Sequence, residues 1–126
     1  MGQCYSVYLK IKIRDEGEFI HLSRKYATEN EWSGEYIRKM SGVDGIIKQV
    51  LLTDDLTVQR EDGWLVYRSD FDAYYLWESV LDEWFNAVAP ALEDGSDIEV
   101  YPDRGHWGYN VSCGVAVQCD RKESAK

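Results

Sequence analysis

The chain has 126 residues, 23 of them acidic and 14 basic, for a net charge of −9. That length suits one domain, and so negative a chain is a poor direct partner for free nucleic acid or an anionic membrane, both of which need cations on the protein. Five Trp, nine Tyr and three Phe supply a core that needs no metal or disulfide, and no stretch approaches the roughly 20 apolar residues of a membrane span.

The first 14 residues alternate apolar and charged side chains rather than forming the continuous apolar centre of a secretory signal. Tyr5, Val7, Leu9, Ile11 and Ile13 fall on one side, and Ser6, Tyr8, Lys10 and Lys12 on the other. This period of two predicts a half-buried antiparallel strand over 3–13. Asp15 and Glu18 then form a capping-box pattern, and Phe19, Leu22 and Tyr26 recur at helical spacing. A helix over 16–29 follows, with Arg24 and Lys25 near its end, where cations suit the helix dipole.

Trp32, Tyr36, Ile37 and Met40 fit a short helical turn, with a break at Ser33-Gly34. Ser41 and Asp44 suggest another cap before Ile46, Ile47, Val50 and Leu51. A helix over 43–52 is favoured there, with a strand over 46–52 as the rival. The sharpest local signal is Asp62-Gly63 between residues 56–60 and 64–68. Asp-Gly supplies the positive φ angles of a two-residue hairpin turn.

Ser69 and Asp72 again resemble a cap. Tyr74, Trp77, Leu81, Trp84 and Val88 follow in steps of three and four, the strongest helical stripe of the chain, which Pro90 limits. Tyr75 falls off that stripe, beside Asp72 and Glu78. Ile98–Tyr101 reads as a strand and 102–105 as a turn. The odd positions from Trp107 to Cys119 form one apolar series, with Gly108 and Gly114 marking bulges or a second turn. Residues 121–126 read as a charged tail to a domain over 1–120.

The order β-α-(α)-β-β-α-β-β, without a βαβ series or a nucleotide-type glycine loop, predicts an α+β fold. Its sheet is antiparallel, of about five strands, packed by two to three helices. A ferredoxin-like variant with an extra hairpin is consistent with this order.

Candidate chemistry is sparse. Cys4, Cys113 and Cys119 have no paired spacing, so three reduced, mostly packed thiols in a cytoplasmic protein are expected. No zinc or calcium motif is present, although Glu93, Asp94, Asp97, Glu99 and Asp103 gather carboxylates. No nucleophile or phosphate-loop motif appears, so neither a metal nor a cofactor is expected. His21 sits within the first helix. Asp103, Arg104 and His106 place an acid, a cation and an imidazole within four residues, the one cluster that could serve a small enzyme.

Charge is the remaining signal. Residues 1–60 hold nine acids and nine bases, whereas residues 61–120 hold thirteen acids against Arg68 and Arg104. Such an imbalance attracts a basic surface. The expectation is therefore a non-enzymatic binding or inhibitor protein that meets a basic protein surface. If that surface ordinarily holds nucleic acid, the chain would be a DNA mimic of the type found in phages and mobile elements. The contact set would be Asp72, Tyr75, Glu78, Asp82, Glu83, Asp94, Asp97, Glu99 and Asp103, with Tyr75 as an aromatic anchor. A structural or self-associating subunit using Trp32, Trp107 or Tyr109 is the alternative, and the Asp103–His106 enzyme the second.

Overall fold

The computed structural model describes residues 2–53, 57–74, 77–103 and 105–119. Strand β1 (Gly2–Ile11) keeps the alternation read from its sequence: Tyr5, Val7, Leu9 and Ile11 are fully buried. It lies inside the sheet because it pairs along both edges. On one side it meets β3 (Trp64–Tyr74) in register from Gly2↔Tyr74 to Ile11↔Leu65, and on the other β4 (Asp97–Tyr101) from Ser6↔Tyr101 to Lys10↔Asp97. With β2 (Thr57–Glu61), β5 (Trp107–Ser112) and β6 (Val115–Cys119), the described residues form a six-stranded antiparallel sheet of order β2-β3-β1-β4-β5-β6.

One sheet face is covered by α1 (Glu16–Glu29), α2 (Gly34–Arg38), α3 (Val43–Val50) and α4 (Trp77–Val88), with a 3₁₀ turn at Ala89–Ala91. Asp15 caps α1 as its sequence predicts, its carboxylate accepting from the Glu18 N–H at 3.0 Å. Between α1 and α4, Phe19 packs edge-on against Trp84 with ring centroids 6.0 Å apart. The Trp84 indole N–H donates to the buried Ser23 hydroxyl at 3.0 Å, which satisfies a polar atom that would otherwise destabilise the core. The arrangement β1-α1-β2-β3-α4-β4, with strand order β2-β3-β1-β4, is the ferredoxin-like split βαβ. The β5–β6 hairpin extends it beyond β4.

Four local expectations give way to the tertiary structure. The Ser69–Asp72 cap pattern and Tyr74 lie on a strand, because β3 continues to Tyr74 and pairs with β1 throughout. Ten cross-strand pairs, with Phe71 buried in the core, outweigh a local cap. Ser41 and Asp44 do not cap α3. Its N-cap is Gly42, and the Asp44 carboxylate instead accepts from the Tyr67 hydroxyl at 2.7 Å. The odd-numbered apolar series changes face at the Cys113-Gly114 turn, where both φ angles are positive, +53° and +76°. A two-residue turn pairs Val111 with Ala116, so Trp107, Tyr109 and Val111 face the helices while Val115 and Val117 fall on the opposite face, 59% and 51% exposed. Cys4 and Cys113 are exposed rather than packed. The Asp62-Gly63 turn keeps its predicted form, with φ of +54° and +85°.

Candidate functional site

Of the nine residues read as a contact set, Glu78, Asp82 and Glu83 lie on one side of the sheet and Asp72, Asp97 and Glu99 on the other. The first three lie on α4, over the helical layer. Each accepts a hydrogen bond from an aromatic donor: Glu78 from the Trp107 indole N–H at 2.7 Å, Asp82 from the Tyr109 hydroxyl at 2.7 Å, and Glu83 from the Tyr26 hydroxyl at 3.2 Å. Asp82 also accepts from the Asn86 amide at 2.9 Å. The donors come from β5 and α1, so the two elements flanking α4 hold its acidic row in place. This placement follows from the register of β5 with β4, which puts Tyr109 opposite Ile98 and Trp107 opposite Val100, on the face that carries α4. Both rings are half-buried against the helix rather than presented as an open patch.

Asp97 and Glu99 alternate with buried Ile98 and Val100 along β4, so the period of two sends them to the opposite face. Asp72 is on that same face of β3, directly across from Cys4. Partial desolvation, and then the carboxylates of Asp72, Asp103 and Asp70, push the Cys4 thiol above its ordinary pKa. Such a thiol is a poor nucleophile. Lys10, Lys12 and Arg68 share this face: the two ammonium groups lie 5.2 and 6.0 Å from the Trp64 ring, and the guanidinium sits 4.9 Å over Tyr8. Acids are therefore mixed with bases here, unlike on α4. Asp94 has a local role, accepting from the Cys113 backbone N–H at 2.7 Å. Asp103 is exposed in the turn after β4. Tyr75 lies outside the described residues.

Of the Asp103-Arg104-His106 cluster, Arg104 also lies outside the described residues. The His106 ring is stacked on Tyr101, with centroids 5.2 Å apart. Among the described residues, no group of three His, Cys, Asp or Glu side chains could hold a metal ion, and no helix is long and apolar enough to cross a membrane.

Sequence reasoning missed a groove of about 540 Å³ where α4 begins, lined chiefly by Trp32, Tyr36, Gln49, Leu52, Asp72 and Trp77. Trp32 and Trp77 stack with centroids 5.8 Å apart, Tyr26 packs edge-on against Trp32, and the Trp77 indole N–H donates to the Val50 carbonyl at 2.8 Å. These contacts fix both indoles. Trp77 falls on the helical stripe, and its spacing therefore signals core. Only the tertiary structure shows that it also walls a groove.

No protein family matches the chain, and no curated protein or solved structure is significantly similar to it.

Proposed function

We propose that this chain is a non-catalytic binding protein that presses the acidic face of α4 against a basic protein surface. The observation that carries this reading is the set of three carboxylates, Glu78, Asp82 and Glu83, held by Trp107, Tyr109 and Tyr26. Helix α4 itself carries no Lys or Arg. Carboxylates already held in place lose less side-chain freedom on binding, so more of their attraction appears as affinity.

Spacing supports the finer reading, in which the basic surface is one that ordinarily holds nucleic acid. Positions 78 to 83 rise about 7.5 Å along a helix at 1.5 Å per residue. One strand of duplex DNA places about one phosphate per 3.4 Å of axis, so three charges in that span match a strand's charge density. Occupying such a site makes the chain an inhibitor of a nucleic-acid-binding protein or nuclease. Two exposed free thiols, Cys4 and Cys113, support action in the reducing cytoplasm.

The test is affinity capture from host lysate with the natural chain and with a Glu78→Gln/Asp82→Asn/Glu83→Gln variant in parallel. The amides keep the acceptor oxygens for Trp107, Tyr109 and Tyr26 but remove the charge. A basic protein retained by the natural chain, released by salt and absent from the variant is the expected result. Equal retention by both would remove the reading.

A further inference from the structure

The two edges of the sheet differ in chemistry. Strand β2, at one edge, ends in Arg60 and Glu61, and charges of this kind keep an edge from pairing with another chain. Strand β6, at the other edge, reads Val115-Ala116-Val117-Gln118-Cys119 and has neither a charge nor a proline. Among the described residues, no strand pairs with its outer side. Val115 and Val117 stand exposed on the face away from the helices.

The neighbouring strand fixes which backbone groups of β6 point outward. The Val111 N–H donates to the Ser96 carbonyl at 2.8 Å, and the Val111 carbonyl accepts from the Gly95 N–H at 3.0 Å. Both groups of Val111 are therefore turned away from β6. Val111 lies opposite Ala116, which makes that pair a non-hydrogen-bonded one. The alternation of an antiparallel ladder then directs Val115 and Val117 at β5, and Ala116 and Gln118 outward. The outer edge thus carries two N–H donors and two carbonyl acceptors on residues that flank Val117.

This pattern is complementary to itself. In an antiparallel pairing about a two-fold through Val117, Ala116 lies opposite Gln118 of the partner subunit, and Gln118 opposite Ala116 of the partner subunit. Every outward group then has a partner, and Val117 meets Val117 of the partner subunit in a non-hydrogen-bonded pair, where side chains come closest. A closed two-fold dimer requires such a self-matching surface. Charge selects the same edge. Two chains of net charge −9 repel, and along this uncharged strand they approach without setting like charges opposite each other.

We propose that the chain dimerises by pairing β6 with β6 of a second copy, joining two six-stranded sheets into one continuous sheet. The two-fold runs perpendicular to the sheet, so both helical layers lie on one face. The acidic rows of both α4 helices are then presented on the same side, a consequence that alone rests on the binding reading above.

The test is sedimentation velocity with charge complementation at the axis. A single pair of short strands is a small interface, so the natural chain is expected to be dimeric at about 0.5 mM and monomeric at about 10 μM. Val117→Lys and Val117→Asp, at an exposed position, each oppose like charges across the axis. Each variant is expected to stay monomeric at the higher concentration, and an equimolar mixture of the two to regain the dimer. Amide exchange supplies an independent reading. In the dimer the Ala116 and Gln118 N–H groups are expected to exchange about tenfold more slowly, while that of Val117, directed at β5, is unchanged. A natural chain that is monomeric at the higher concentration overturns the inference. So do variants that dimerise as well as the natural chain, or a mixture of folded variants that stays monomeric. If either variant fails to fold, unchanged exchange at Ala116 and Gln118 overturns it alone. Salt separates this proposal from the α4 reading, since it is expected to tighten a dimer of like-charged chains and to release a basic partner.

Discussion

Glu31, at φ +61° just past the end of α1, offers a clean measurement of the strain beside the groove. A non-glycine residue in the left-handed region costs roughly 1–2 kcal/mol. Replacing it with glycine returns about 0.5–1 kcal/mol of that to the greater freedom of the unfolded chain. Glu31 is exposed, and its side chain adds little burial. Glu31→Gly is therefore expected to stabilise the protein by about 0.5–1 kcal/mol, or about 2–5 °C in Tm for a chain of this size. Removing a negative charge at a helix C-terminus adds a few tenths of a kcal/mol on its own. Glu31→Ala is the control, since it removes the same charge and keeps the same φ. Urea denaturation of both variants separates the effects. If Glu31→Ala gains as much as Glu31→Gly, the gain is electrostatic and the backbone argument fails. A loss of stability in Glu31→Gly refutes it outright.

Further predictions concern the core, the close backbone approaches and pH. Ser23→Ala leaves the Trp84 indole N–H without its acceptor, and urea denaturation should show a loss of about 1–3 kcal/mol with an unchanged m-value. Gly108→Ala drives a Cβ into the Ile98 carbonyl oxygen of β4, and a loss of about 2–3 kcal/mol is expected by the same assay. Gly45→Ala, within α3, ordinarily adds helix stability. Here its Cβ meets the Lys39 carbonyl oxygen, so a lowered Tm is predicted. Burial, then Glu83, raises the Tyr26 hydroxyl pKa, and burial, then its hydrogen bond to Asp44, raises that of Tyr67. The folded state thus retains protons that the unfolded chain releases above pH about 10. Stability from these two groups is complete below that pH and falls above it, by up to about 1.4 kcal/mol per pH unit for each. Chemical denaturation between pH 8 and 12 measures the slope, and a flat profile would contradict it.

Where local chemistry decides structure, the sequence was legible. The period of two in β1, the Asp15 cap and the Asp62-Gly63 turn each needed only neighbouring residues. Residues 69–74 were not legible, because a cap pattern and a strand share Ser and Asp, and pairing with β1 decides between them. The odd-numbered series after Trp107 misled for a related reason: one two-residue turn reverses which parity faces the helices. That reversal exposes Val115 and Val117, while pairing with β4 sends Trp107 and Tyr109 to α4. The alternation of β4 sends Asp97 and Glu99 away from it. The acidic surplus was visible in the composition, but its division between faces depends on strand registers that are set by distant residues. The groove was hidden because Trp32, Leu52 and Trp77 come from three helix ends, and nothing in their spacing joins them.

Charge-driven recognition through α4 is tested most directly by association kinetics with the captured basic partner. Rate constants would be measured in about 20 and 200 mM salt for the natural chain and for the Glu78→Gln/Asp82→Asn/Glu83→Gln variant. Steering by the acidic row predicts a natural association rate that falls about tenfold as salt rises, and a variant that is slow and nearly salt-independent throughout. Identical rates and identical salt dependence in the two proteins would show that these carboxylates do not guide the encounter.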